Sequence, residues 1–361
     1  MFKKEKFTLL TFYKFVDVED VEKEVQDHLD FCTDIGMTGR VYIGTEGISS
    51  TVTGNEGQIK AYKLYLDAHP LFNNPPDLDI KSTPVDGHKF PRMSVKHREE
   101  IVALGQKYTR KEIEEAGNRM SIEEFKEILD NGNIDDYIVL DMRNNHEYKL
   151  WHFKNAIPAN TLTFKELEKE IENYKKTFGD KKIISYCTWG IRCEKSTVML
   201  QKAGLKNTYQ LDGWVVKYIN TYNDWNWKGN LYVFDDRVSC EVWDENTHET
   251  IGICLYSDAL TNNCENCRYS PCNARIIASE EEYKKHFGFC SEECYKNALT
   301  NGLVKNVDFD KVDYRKLRVK MKNHPETTPE VLDFIQKHLT SNIWNKNFRH
   351  KTSQKEDFII D

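Results

Sequence analysis

Between Ser121 and Leu211, helical and strand patterns alternate, and that alternation constrains the fold more than any other feature of the chain. Helix-spaced apolar residues mark Ser121–Leu129, Thr163–Tyr174 and Glu194–Ala203, the last closed by Gly204; short apolar runs mark Tyr137–Asp141, Lys182–Tyr186 and Thr208–Leu211 as strands. Ser121 with Glu124 forms a helix-starting capping box. Strands and helices in alternation imply a parallel sheet covered by helices. Ligands then bind outside the carboxyl ends of the strands. Cys187 follows one such end, and Asp141 and Arg143 lie at or beyond another.

The stretch Ile183-Ile184-Ser185-Tyr186-Cys187-Thr188-Trp189-Gly190-Ile191-Arg192-Cys193-Glu194-Lys195 sharpens this reading. A strand ends at a cysteine, a short loop follows, and a helix begins around an arginine. Such a loop points backbone N–H groups at one sulfur, next to a helix N-terminus. Both favour negative charge and lower the thiol pKa. A lone cysteine at a strand end would read as buried and inert; the arrangement strand, Cys187, loop, Arg192, helix favours a reactive thiolate. Cys193 reads as a resolving thiol or a packed one, packing being favoured.

The N-terminal third follows a different pattern. Phe7–Phe15 reads as a strand, Val18–Phe31 as a helix, Gly39–Thr53 as a bent strand or hairpin, and Asn55–Asp67 as a second helix. Asp79–Val85 and Met93–Leu104 read as further strands. The order β-α-β-β-α-β suggests a ferredoxin-like domain. A linker is expected near Gln106–Arg119. After Gly229 the character changes again: Cys264-x-x-Cys267, Cys272 and Cys290-x-x-x-Cys294 have the spacing of a structural zinc site. Cys264, Cys267, Cys290 and Cys294 are the expected ligands, with Cys272 as the substitute. The expected domains are 1–108, 119–229 and a Cys-rich segment with a basic helical tail over 230–361.

The net charge is −7, so the molecule as a whole is not a basic nucleic-acid binder. Basic residues nevertheless gather locally: Lys89, Arg92, Lys96 and Arg98 in one stretch, and Lys311 to Lys322 in another. No apolar run approaches the ~20 residues that span a bilayer, and the start lacks an uncharged apolar segment of a secretory signal. Ten cysteines without such a signal point to a reducing, cytoplasmic setting, where thiols serve as metal ligands or catalytic groups.

The Cys187 loop resembles the active-site loop of rhodanese domains. The string Cys187-Thr188-Trp189-Gly190-Ile191-Arg192-Cys193-Glu194-Lys195 is similar, more narrowly, to the rhodanese-like tRNA uridine hydroxylase family, TrhO, whose usual loop reads Cys-Thr-Gly-Gly-Ile-Arg-Cys-Glu-Lys. Trp189 stands where that family has glycine, as does Trp151 before His152-Phe153. Val139–Asn144, Glu147-Tyr148, Leu211-Asp212-Gly213-Trp214 and Phe234–Val238 resemble further family stretches in order, as do Gly39–Val52 and Val95–Val102 in the N-terminal third.

The resemblance implies oxygen-dependent 5-hydroxylation of the wobble uridine, position 34, of tRNA, with molecular oxygen as co-substrate. Cys187 would be the essential thiolate and Arg192 the residue that shapes the loop and offsets charge. Asp141, Arg143, Trp189 and Cys193 would support the site, and Lys89, Arg92, Lys96 and Arg98 would contact tRNA. The residues alone are equally consistent with a sulfurtransferase carrying a persulfide on Cys187. A phosphatase fits less well, because only four residues separate Cys187 from Arg192. A zinc-bearing RNA-binding scaffold without catalysis is the reading from a different class.

Overall fold

The computed structural model describes residues 6–73, 80–131, 133–222, 225–229, 231–232, 239–240, 249–272 and 274–301. The N-terminal domain runs β1 (Phe7–Phe15), α1 (Val21–Asp34), β2 (Thr38–Gly44), β3 (Gly47–Asn55), α2 (Glu56–Ala68), β4 (Lys81–Val85) and β5 (Met93–His97). Its sheet has the order β4-β1-β3-β2-β5. The first four strands pair antiparallel, and β5 joins β2 in parallel as an added edge. That is the ferredoxin-like layout with one extra strand. Alternation along β1 turns Leu10 and Phe12 into the core shared with Val21, Tyr62 and Leu66 of the helices. Thr11 and Tyr13 face the opposite side, toward the central domain.

Several boundaries differ from the sequence reading, two of them for an evident local reason. The first helix starts at Val21 rather than Val18, because the Asp20 carboxylate caps it by accepting from the Lys23 amide at 3.1 Å. Strand β5 stops at His97 because Glu100 gathers the next residues into a loop, accepting from the amides of Leu104 and Gly105 at 3.0 Å.

The expected linker holds a short helix, α3 (Arg110–Glu115), opened by a Thr109–Glu112 capping box. The central domain continues with β6 (Arg119–Met120), α4 (Ile122–Asn131), β7 (Tyr137–Asp141), α5 (Asn145–Leu150), β8 (Trp151–Phe153), β9 (Ala156–Pro158), α6 (Leu167–Phe178), β10 (Lys182–Tyr186), α7 (Ile191–Lys202), β11 (Thr208–Leu211), α8 (Trp214–Thr221) and β12 (Trp227–Gly229). A five-stranded sheet of order β6-β11-β10-β7-β9 is parallel throughout. The Ser121–Glu124 capping box forms as the sequence implies, with both reciprocal bonds at 3.1 Å. Two apolar clusters cover the sheet: one holds Phe125, Phe153, Tyr186 and Tyr218, the other Leu140, Leu167, Tyr174 and Leu200.

Beyond the central domain, Cys264–Asn266 pairs antiparallel with Arg275–Ile277. A separate small core holds Cys267, Ile276, Tyr283, Phe289 and Cys290. Among the described residues no helix is long and apolar enough to cross a membrane. The basic stretch Lys311–Lys322, the Phe234–Val238 string and the rest of the tail lie outside the described residues.

Candidate active site

Cys187 sits where β10 ends, in the loop that turns into α7. The loop can close only with glycine at position 190. Gly190 has φ of +87°, a region side chains avoid, and a Cβ there would run into the indole of Trp214. The Gly190 N–H donates to Cys187 Sγ at 3.1 Å. Burial pushes the thiol up. A hydrogen bond from the Cys193 side chain, the Arg192 charge, and the amides of Arg192 and Cys193 outweigh that and bring it down to about 6. These groups favour the thiolate form of Cys187 over the thiol. Cys193 is fully buried and packed. It also acts on Cys187 directly, which spacing alone did not reveal.

Arg192 stands in the first turn of α7, beside the thiol. It is clasped by Glu147, with Nη1 to Oε2 at 2.7 Å and Nη2 to Oε1 at 2.8 Å, both side chains buried. Burial raises the Glu147 carboxyl, but the Arg192 charge and hydrogen bonds win and hold it at about 2. Glu147 also accepts from the Asn144 amide at 3.1 Å, fixing the start of α5. The sequence shows Glu147 only as part of a resemblance; its pairing with a residue 45 positions away carries no local signal.

Asp141 and Arg143 form a second buried pair behind the loop. Arg143 Nε donates to Asp141 Oδ1 at 2.8 Å, Nη2 donates to the Trp151 carbonyl at 2.7 Å, and the guanidinium lies 3.5 Å from the centre of the Trp151 ring. Tyr186 donates its hydroxyl to Asp141 at 2.8 Å. These groups tie the ends of β7 and β10 together and do not line the cavity described next. Trp151, in the place of a family glycine, is core: it packs on Arg143 and Trp227.

A cavity of about 1000 Å³ opens over Cys187. Its floor is the loop, with Cys187, Trp189 and Arg192; its roof is the outward face of the N-terminal sheet, including Tyr13, Arg40 and Tyr42. Trp189 is half-buried in this wall. Arg40 and Tyr42 escaped the sequence reading, although their two-residue spacing on β2 puts them on one face. Of the basic residues expected to meet RNA, Arg92, Lys96 and Arg98 are exposed, and the Arg98 guanidinium lies 5.1 Å from the ring centre of Tyr42, at the cavity. Lys89 is half-buried and paired with Asp86.

The cysteine-rich segment requires a correction. Cys267, Cys272, Cys290 and Cys294 converge, with their four sulfurs within 4.8 Å of one another; Cys264 is not among them. Cys264 opens a strand, and in extended backbone residues three apart face opposite sides. Its side chain enters the central core beside Ile277, where burial pushes the thiol up to about 12. Cys272 takes the fourth place after a turn in which its amide donates to the Tyr269 carbonyl at 3.1 Å. Sulfur separations of 3.6 Å from Cys290 to Cys272 and to Cys294 match the ~3.8 Å of a tetrahedral site with metal–sulfur bonds near 2.3 Å.

Family comparisons agree with this layout. Residues 7–101 match the UPF0176 acylphosphatase like domain, residues 121–221 the rhodanese-like domain, and residues 228–295 the rhodanase C-terminal domain. A tRNA uridine(34) hydroxylase of Staphylococcus carnosus is 34% identical over 302 residues, covering 83% of this chain and 93% of that protein. The chain belongs to the tRNA uridine(34) hydroxylase family. A second member, from Staphylococcus aureus, is 35% identical over 294 residues, covering 81% of this chain and 90% of its own length. In this hydroxylase-family chain all three matched domains occur in order, and the cavity lies where the first two meet.

Proposed function

We propose that this chain hydroxylates C5 of the wobble uridine, position 34, in tRNA, with molecular oxygen as co-substrate, one oxygen atom entering the base and the other leaving as water with two electrons from a thiol reductant, and with Cys187 as the reacting thiolate. The observation that carries the reading is the shared cavity: a thiol held at about 6 at the base of a chamber walled by two domains. A volume of about 1000 Å³ accommodates a nucleoside with its neighbours. Loop bases of RNA are readily splayed out and stacked on aromatic side chains. Trp189 and Tyr42 supply rings, and Arg40 a cation, around the thiolate. Arg92, Lys96 and Arg98 meet phosphates on the approach; Lys89, already paired with Asp86, contributes less. Arg192 keeps negative charge on the sulfur while Glu147 holds it in place. These groups act in a reducing compartment.

Incubation of the protein with tRNA bearing unmodified uridine at the wobble position, under isotopically labelled oxygen gas with a thiol reductant and thiosulfate present, tests the reading. Labelled 5-hydroxyuridine is the expected product. A nucleoside that has gained sulfur instead would establish the sulfurtransferase.

We also propose that Cys267, Cys272, Cys290 and Cys294 hold one structural zinc ion, since four protein sulfurs fill a tetrahedron and leave no open position for chemistry. Elemental analysis after purification without chelators should find about one zinc per chain. Cys272→Ser should lose most of it and Cys264→Ser should keep it; equal retention in both would contradict the assignment.

A further inference from the structure

The loop motif ends in Glu194-Lys195, and neither residue lines the cavity. Both are buried and turned into the junction with the N-terminal domain. Lys195 is fully buried, and its Nζ lies 2.8 Å from Glu46 Oε2, at the β2–β3 turn, and 2.8 Å from Glu100 Oε2. It also donates to the carbonyls of Val102 at 3.2 Å and Gln106 at 3.4 Å. Glu194 accepts from the Tyr13 hydroxyl of β1 at 2.8 Å and from Arg119 at 2.8 Å, with Gln210 Nε2 at 3.3 Å on its other oxygen. A third contact crosses the same junction. Lys81 Nζ of β4 lies 2.9 Å from the ring centre of Trp214, the indole that occupies the space beside Gly190.

The N-terminal core is complete without any of these groups: its apolar cluster draws on residues of that domain alone. Their mechanical target is the first turn of α7. Gly190, Arg192 and Cys193 present their amides to the Cys187 sulfur, and Glu194 and Lys195 follow within one helical turn. A shift of that turn moves the amides with it. Hydrogen bonds to an anion weaken steeply with lost alignment. Burying an ammonium is tolerable only where carboxylates meet it, so Lys195 is seated only when Glu46 and Glu100 are docked.

We propose that Glu194 and Lys195 are positioning residues that latch the first turn of α7 to the N-terminal domain, so that the amide cradle around Cys187 is held only while the two domains are docked. The N-terminal domain then conditions the thiol as well as roofing the cavity. The latch rests on Cys187 being the working group, but its test needs no tRNA, so its failure and a failure of uridine hydroxylation are distinguishable.

The test is the pH dependence of Cys187 alkylation by iodoacetamide, followed on the Cys187 peptide by mass spectrometry, in full-length wild type, Lys195→Met and Glu100→Gln. Both variants should shift the midpoint upward by a unit or more, slowing alkylation below the midpoint roughly tenfold. Glu100→Gln preserves shape and should retain a cooperative melting transition, so it decides the matter alone if Lys195→Met does not fold. A folded Glu100→Gln protein whose midpoint equals that of wild type, with only its melting temperature lowered, would overturn the latch.

Discussion

Glu147→Gln is expected to destabilise the fold by about 3–5 kcal/mol, the usual cost of removing one partner from a buried ion pair. Glutamine fills the same space, so the loss comes from Arg192, left as a buried cation without its carboxylate. The pH dependence provides an independent check. The folded carboxyl titrates at about 2 against an ordinary 4.5. A depressed carboxyl contributes stability that is fully present above the ordinary value and is lost as pH falls through the folded value. The window therefore runs from about pH 4.5 down to about 2, and a shift of this size corresponds to roughly 3 kcal/mol. Urea unfolding of wild type should lose that increment across the window, while Glu147→Gln should be flatter. Parallel acid profiles for the two proteins would show that Glu147 is not the group responsible.

Cys187→Ser is expected to fold normally and to lose uridine hydroxylation by at least about 10³-fold, the scale on which removal of a reacting side chain acts. Serine nearly matches cysteine in shape, so the loop, the Gly190 amide and the Arg192–Glu147 pair can persist. A hydroxyl is not ionised in a setting that brings a thiol to about 6, so the negative charge that the loop stabilises disappears. In wild type, alkylation of Cys187 should rise with a midpoint near pH 6.

The sequence showed what local pattern encodes. The helix–strand alternation placed β7, β10 and β11, the Ser121–Glu124 box placed α4, and the arrangement of strand, cysteine, loop, arginine and helix singled out Cys187 as the candidate thiol. Contacts that span the chain were not legible in this way. Tyr13 meets Glu194 across 181 positions, and Lys195 meets Glu100 across 95; no periodicity records either. The thiol spacing misled for a related reason. Cys264-x-x-Cys267 looks like a chelating pair, but the strand pairing with Arg275–Ile277 turns Cys264 away and admits Cys272. Helix α8 was also missed. It begins at Trp214 with φ of +59°, where a turn-like Leu-Asp-Gly-Trp string gave no helical signal and where tryptophan is a costly choice. The indole's place beside Gly190 is the compensating contact.

The central claim is that the Cys187 thiolate hydroxylates wobble uridine, and nucleoside mass spectrometry of tRNA from cells lacking this protein tests it most directly. Wild type supplied in trans should restore 5-hydroxyuridine at the wobble position, whereas Cys187→Ser at the same protein level should leave that position as plain uridine. Restoration by Cys187→Ser to the wild-type level would contradict the account.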